Sequence, residues 1–300
     1  MTDLDSSKAK ILVQLDADAQ PSVFDRIVAV DAGVQHLFAY GNVQPDQVAP
    51  LVHGAIFTRH RRDLKSTAIF IGASNVAAGE ALLKAVTSAF FGPLRVSVML
   101  DANGANTTAA AAVVSAARHL DLARTTALIL AGTGPVGQRL ARLLGAQGAA
   151  VRLASRSHER AAQAAVAVNR RLGQAQITPC TTADHDQLGA ALAGVELLFA
   201  AGASGIELLP ASIRRPARDL KIAIDLNAVP PVGIEGVQVS DERVERDGAT
   251  VYGALCVGST KMKIHKAAIR SLFAGNDRVL DAEQIYALAR QLADQDRSES

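Results

Sequence analysis

The sequence predicts an α/β protein of two domains. One is a doubly wound parallel sheet in the middle of the chain. The other is an α/β domain built from the N-terminal segment and a C-terminal helix. Three observations predict this. Apolar runs of strand length alternate with helix-length amphipathic segments along most of the 300 residues. A glycine-rich turn joins one of these strands to the next helix. The composition is 49% apolar with abundant alanine, enough core for a chain of this size.

The elements follow in order. Ile11–Leu15 is a short apolar run and the first strand. Asp18 to Ser22 reads as a helix start, Val23 to Val30 as a short helix, and Asp31-Ala32-Gly33 as a turn. Residues 50–58 are read as a strand. "RHRRDLK" (59–65) is a charged loop, "STAIFIGAS" a buried strand, and "NVAAGEALLKAVTSAFF" a helix stopped by Gly92-Pro93. "RVSVML" is the next strand and ends at Asp101. "DANGANTTAAAAVVSAARHL" is a turn and a helix that leads into the second domain without a Pro/Ser linker. From there the pattern predicts strands at 126–131, 150–154, 176–179, 195–200 and 221–225. Helices are expected at 135–147, 158–171 and 184–193. "SLFAGNDRVLDAEQIYALARQLADQ" reads as a closing helix that returns to the first domain. The expected division is 1–107, 108–269 and 270–300.

The segment from Thr126 to Ser157 carries the chemistry. Gly132, Thr133, Gly134, Pro135, Val136 and Gly137 form G-x-G-x-x-G. The pattern alone is weak. Here it follows an apolar strand, opens a helix and precedes a second strand, the context a dinucleotide-binding (Rossmann-like) turn requires. Gly132 permits the turn, Gly134 lets backbone approach a pyrophosphate, and Gly137 allows helix and strand to pack closely. The helix N-terminus offers free N–H groups and a positive dipole. An acid at the end of the second strand would bind the ribose 2′-hydroxyl of NAD. The strand ends instead in Ser155, Arg156 and Ser157, with no acid before Glu159. Arg156 can pair with a 2′-phosphate, worth about 1.5–3 kcal/mol and therefore a preference for NADP of tenfold or more. Farther on, Ala201, Gly202 and Ala203 follow one strand and Asn227 another. Both lie at carboxyl ends of strands, where the nicotinamide half belongs; packing alone would also account for the small residues.

Other functions are disfavoured. A net charge of +2 gives no basic footprint for nucleic acid. The start, "MTDLDSSKAK", lacks the apolar core of a signal peptide, and no run reaches the ~18 apolar residues of a membrane span, so a cytoplasmic location is expected. Cys180 and Cys256 stand in unrelated contexts and predict no disulfide framework. The seven histidines show no metal spacing, and His60 and His265 are read as surface or structural. No nucleophile elbow, Cys–His pair or Walker lysine is present, which leaves hydride transfer. Outside the nucleotide segment the candidate polar groups are Asp16, Asp18, Asp101, Asn103, Asn106, Thr107, Lys261 and Lys263. Each also has a plain reading as turn former, helix cap or solvated charge.

The segments "LDADAQPSVFD", "STAIFIGA", "FFGPLRVSVMLDANGANTTAAA", "LAGTGPVGQRLARLL", "AGASGIELLP", "NAVPPVGIEG" and "GSTKMKIHKAAIRSLF", then "DAEQIYALA", run through the chain in order. In them the sequence resembles the NADP-dependent methylene-tetrahydromethanopterin dehydrogenases of methylotrophic bacteria, especially the type that also accepts methylene-tetrahydrofolate. "NGANTTAAA" and "NAVPPVGI" are the specific segments. The resemblance implies a central NADP domain, a second domain from the terminal segments, a cleft and a homo-oligomer. It implies hydride transfer from a methylene carbon between two pterin nitrogens. Adjacent lone pairs stabilise the resulting cation, no proton need be removed, and positioning supplies much of the catalysis. It also implies cleft roles for Lys261 and for Asp16, Asp18, Asn106 and Thr107. One departure is Ser157, where the relatives often carry a basic residue. The loop 59–65 is read as solvated rather than as a contact for an acidic pterin tail.

Two alternatives stay open on the residues. One is an NADP-dependent dehydrogenase of a hydroxy acid or shikimate type, which would need a Lys–Asp acid/base pair. Lys65, in a charged loop, is poorly placed to supply it. The other is a protein that senses NADP without turnover.

Overall fold

A computed structural model describes residues 8–173 and 176–298. The polar start at 1–7 and the last two residues of the chain lie outside the described residues. The chain forms two compact units. Of the described residues, one holds those up to Thr107 together with Met262–Leu288; the other holds those from Thr108 to Lys261 and from Ala289 onward.

The first unit contains β1 (Ile11–Asp16), α1 (Val23–Asp31), β2 (His36–Tyr40), α2 (Val48–Phe57), β3 (Thr67–Gly72), α3 (Val76–Ser88) and β4 (Ser97–Leu100). Helix α4 (Ala105–Ala116) begins in it and ends in the second unit. β1 and β3 are buried almost throughout, as expected of strands covered on both faces. β1 pairs in parallel with β3 in the register Ile11↔Thr67 to Asp16↔Gly72, so Asp16 and Gly72 end their strands side by side. The core on one face joins Leu15, Val52, Ile56, Ile69, Ile71, Leu82 and Val98.

Residues 50–58, read above as a strand, belong to helix α2. The buried residues of α2 are Val48, Val52, Ala55 and Ile56, which is helical spacing. Pro50 stands in its first turn, where the missing N–H costs nothing. The strand β2, absent from the sequence reading, pairs with β1 at the sheet edge.

The second unit contains β5 (Thr126–Leu130), α5 (Pro135–Ala146), β6 (Ala150–Ser155), α6 (His158–Leu172), β7 (Ile177–Thr181), α7 (His185–Leu192), β8 (Leu197–Ala200), α8 (Ala211–Arg214), β9 (Ile222–Asp225), β10 (Glu242–Arg246) and β11 (Ala249–Tyr252). The sheet order is β10-β11-β9-β8-β5-β6-β7, with β10 alone antiparallel to its neighbour. Order reverses at β5, the position of the glycine turn, which makes this the switch point of a doubly wound sheet.

Helix α9 (Ala254–Ser271) spans both groupings. The sequence reading extended the middle domain to 269. The structure groups residues from Met262 with the first unit, because His265 stacks on Phe70 of β3 at 5.8 Å between ring centroids. The expected single helix near 271–295 is interrupted. Leu272–Ala274 is a 3-10 turn, β12 (Val279–Leu280) pairs with β4, and α10 (Ala282–Ser298) follows. Ser97 Oγ donates to Gly275 O at 3.0 Å and Asn276 Nδ2 to Arg95 O at 3.0 Å, which holds the break against the sheet. The second half of α10, from Ala289, groups with the second unit rather than the first.

Candidate functional site

The glycine turn begins at Ala131, whose φ of +52° is in the left-handed region that an L side chain enters at a cost of about 1–2 kcal/mol. Gly132 N donates to Ala154 O at 2.8 Å, which seats the turn on the end of β6. A Cβ on Gly137 would lie 2.5 Å from Gly132 Cα, and one on Gly132 would lie 2.9 Å from Ile129 O. Neither position admits a side chain. Gly134 differs: a Cβ there would meet only Ala131 O, at 3.7 Å. Its open side is the space a pyrophosphate needs. Gly134 caps α5 without a side chain and Pro135 follows it, so the helix starts with uncapped N–H groups, Val136 and Gly137 included. Thr133 O accepts from Gln138 Nε2 at 2.8 Å and fixes the loop. These residues fit a dinucleotide phosphate.

Ser155 is buried at the end of β6, and its hydroxyl accepts from Ser157 N at 3.2 Å. Ser157 is the N-cap of α6, accepting from Arg160 N at 3.4 Å. Arg156 between them is exposed. Next to it, His158 Nδ1 lies 3.4 Å from Thr181 Oγ1 at the end of β7. The turn on β5 and these groups on β6 and β7 therefore meet at one edge of the sheet.

The same edge carries the loops after β8 and β9. Ala201 N donates to Leu130 O at 3.1 Å, beside the glycine turn. Gly202 is packed on Leu208, and a Cβ would approach it to 2.8 Å; Ala203 is exposed. Asn227 is buried, and its amide is engaged within the loops: Nδ2 donates to Pro231 O at 3.1 Å and Ala203 O at 3.5 Å, and Oδ1 accepts from Val229 N at 3.0 Å. Asp225, which the sequence reading passed over as the end of a strand, anchors this arrangement. The signal was an acid closing the apolar run "IAID".

In the first unit the candidates form two groups. Asp16 is buried and accepts from Asp18 N at 3.0 Å and Ser22 N at 3.3 Å. Asp18 accepts from Ser74 N and Ser74 Oγ, both at 2.8 Å. Ser74, missed by sequence reasoning, follows β3 in "GAS". Asp101 is fully buried after β4. It accepts from Asn106 N at 3.0 Å, Thr107 N at 3.1 Å and Thr107 Oγ1 at 2.6 Å. Asn106 Nδ2 donates to Leu100 O at 2.7 Å and Asp281 Oδ1 at 3.1 Å. Both groups lie at carboxyl ends of strands, and their polar atoms chiefly brace the loops there. Asn103 is exposed with a φ of +53°, and its N–H donates to Ala73 O at 2.6 Å.

Lys261 and Lys263 stand on α9, the first half-buried and the second exposed. Four residues beyond Lys261, on the same helical face, is His265. It is fully buried, between Phe70 and Phe24, with Nε2 4.0 Å from Asp25 Oδ1. Of the surface and structural roles read for it in the sequence, the buried position fits the structural one. The basic loop ending at Ser66 leads into the start of β3, while Asp16 ends β1. The register separates them by five residue steps, roughly 17 Å. Within the segment Arg59 Nη1 donates to Ala9 O at 3.0 Å and Ser66 O at 2.8 Å, and Arg61–Ser66 is a 3-10 helix. Among the described residues no group of three or more His, Cys, Asp or Glu is placed to hold a metal, and no helix is long and apolar enough to cross a membrane.

Comparisons with known proteins join these observations. Residues 23–103 match the family described as methylene-tetrahydromethanopterin dehydrogenase, N-terminal. The chain is 46% identical over 286 residues to the bifunctional protein MdtA of Methylorubrum extorquens, covering 95% of this chain and 99% of that protein. It is 30% identical over 282 residues to the NAD(P)-dependent methylenetetrahydromethanopterin dehydrogenase of the same organism, covering 91% and 95%. The chain belongs to the methylene-tetrahydromethanopterin dehydrogenase family. Beyond this family the likeness is one of fold alone. Shikimate 5-dehydrogenase of Listeria monocytogenes gives a TM-score of 0.53 at 12% identity, covering 96% of this chain and 99% of that one. Quinate dehydrogenase of Corynebacterium glutamicum gives 0.52 at 12%, covering 93% and 98%. The expected family of hydride-transferring enzymes is thus shown, and the hydroxy acid reading loses its support.

Proposed function

We propose that this member of the family oxidises methylene-tetrahydromethanopterin with NADP in preference to NAD, and accepts methylene-tetrahydrofolate as a second substrate. The observation that carries the nucleotide preference is the end of β6, where Ser155 and the exposed Arg156 stand in place of an acid. NADP, when bound, supplies the hydride acceptor. The chain's own work is to bind, orient and exclude water. The glycine turn takes the pyrophosphate, Arg156 and Ser155 the 2′-phosphate, and Ala201–Ala203 with Asn227 the nicotinamide half.

The substrate side draws on Asp16, Asp18, Asn106, Thr107 and Lys261. Asp16 and Asp101 hold the loops, and Asp18 with Ser74 presents a polar edge to the pterin. Lys261 orients the pterin's polar groups. None is needed as a base, because the reaction removes a hydride and leaves a cation shared by two nitrogens. The reading includes a cytoplasmic homo-oligomer.

Initial rates with both methylene carriers and both nucleotides test it. NADP reduction with the methanopterin substrate is expected, with NAD poorer. Binding of NADP without turnover of either carrier would favour the sensor.

A further inference from the structure

Asp225 ends β9 and is 1% exposed. Burial pushes its carboxyl above the usual range, against the backbone N–H groups of Asn227, Ile234 and Gly233. Nothing in hydride transfer calls for such a group. Its contacts have a different character: they close both ends of one loop. Oδ1 accepts from Asn227 N at 2.9 Å and Oδ2 from Ile234 N at 2.7 Å. Gly233 has no room for a side chain, since a Cβ would lie 2.8 Å from Asp225 Oδ1 and 2.9 Å from Ala200 Cβ. Gly233 O in turn accepts from Leu208 N at 2.8 Å and Leu209 N at 3.0 Å. Asn227, held by Asp225, reaches Ala203 O at 3.5 Å. The loops after β8 and β9 are therefore tied together around one carboxylate.

We propose that Asp225 is the positioning residue of the nicotinamide half-site, acting through Asn227 and Gly233 to hold the loops after β8 and β9 in a receptive shape. The proposal rests on the dinucleotide reading of the glycine turn. The adenosine half has its own supports on β5 and β6, where Gly132 N meets Ala154 O. Loosening Asp225 should therefore affect one half of the cofactor and spare the other.

The test is Asp225→Asn in the full chain, which keeps the shape but sets an amide donor against backbone N–H groups. Affinities for NADP and for 2′,5′-ADP, which lacks the nicotinamide, are measured by calorimetry. The expected result is a loss of about tenfold for NADP and less than about twofold for 2′,5′-ADP. Equal losses for both, or no loss for either, overturn the proposal. Should Asp225→Asn not fold, Asp225→Ser keeps one acceptor for these backbone N–H groups and leaves the Asn227 side chain, itself assigned to the cofactor, unaltered. The same split is then expected, and an unchanged ratio of the two affinities overturns the proposal. If the wild-type chain binds neither ligand, the dinucleotide reading itself is wrong and the proposal falls with it.

Discussion

Ser74 gives both its backbone N–H and its hydroxyl to the carboxylate of Asp18, each at 2.8 Å. The pair joins the loop after β1 to the loop after β3, at the ends of two neighbouring parallel strands. A part-exposed carboxylate with two donors is worth about 1.5–3 kcal/mol per charged hydrogen bond before solvent screening, and less after it. Asp18→Ala is expected to lower the melting temperature modestly and kcat/KM for the pterin by tenfold or more. The affinity for NADP should stay unchanged. Differential scanning fluorimetry, initial rates and nucleotide calorimetry separate these effects.

Thr107 donates its hydroxyl to the fully buried Asp101 at 2.6 Å. Thr107→Val keeps the volume and leaves the carboxylate without that donor. A loss of about 1–3 kcal/mol in unfolding free energy is expected in urea titrations. Thr107→Ser, which retains the hydroxyl, should recover most of it.

Arg156 is the test of nucleotide choice. Arg156→Ala should weaken NADP binding by about tenfold to a hundredfold and leave NAD binding within about twofold. Raising the salt concentration should shrink the wild-type preference in the same direction, because the side chain is exposed.

His119 Nε2 lies 2.6 Å from the hydroxyl of Tyr252. Burial holds its pKa below the ordinary histidine value, helped by Arg243, Arg118 and Arg297. The unfolded chain therefore binds more protons than the folded one below about pH 6.5. The stability tied to this group is fully present above that pH and is lost as pH falls through the lowered folded value. Melting temperatures across pH 5 to 8 should fall more steeply on the acid side for wild type than for His119→Gln.

Much of this was legible in the sequence, for reasons that differ by region. Strands β3, β5 and β9 are unbroken apolar runs closed by small or polar residues, and the glycine turn has its strand and helix on either side. Helix α2 reads as a strand because "LVHGAIF" is apolar on several faces, so its period is hard to see. The hairpin β10–β11 is not legible because its outer strand, Glu242–Arg246, is mostly charged and largely exposed. An edge strand of that kind shows no apolar alternation. In the site, Asn227 is legible at a strand's carboxyl end, and Asp16 and Asp18 as polar candidates that the resemblance puts in the cleft. Ser74, the partner of Asp18, and Ala203, a partner of Asn227, are not legible as partners, because they are distant in sequence and carry no motif. Asp225 looks like an ordinary turn former until the fold puts the N–H groups of Asn227 and Ile234 around it.

The most direct measurement is the initial rate of nucleotide reduction by the purified chain, with methylene-tetrahydromethanopterin and methylene-tetrahydrofolate each offered with NADP and with NAD. Methenyl-pterin absorbance should rise together with reduced nucleotide, fastest with NADP. Turnover that favours NAD, or no turnover of either carrier by protein that binds NADP, would contradict the account.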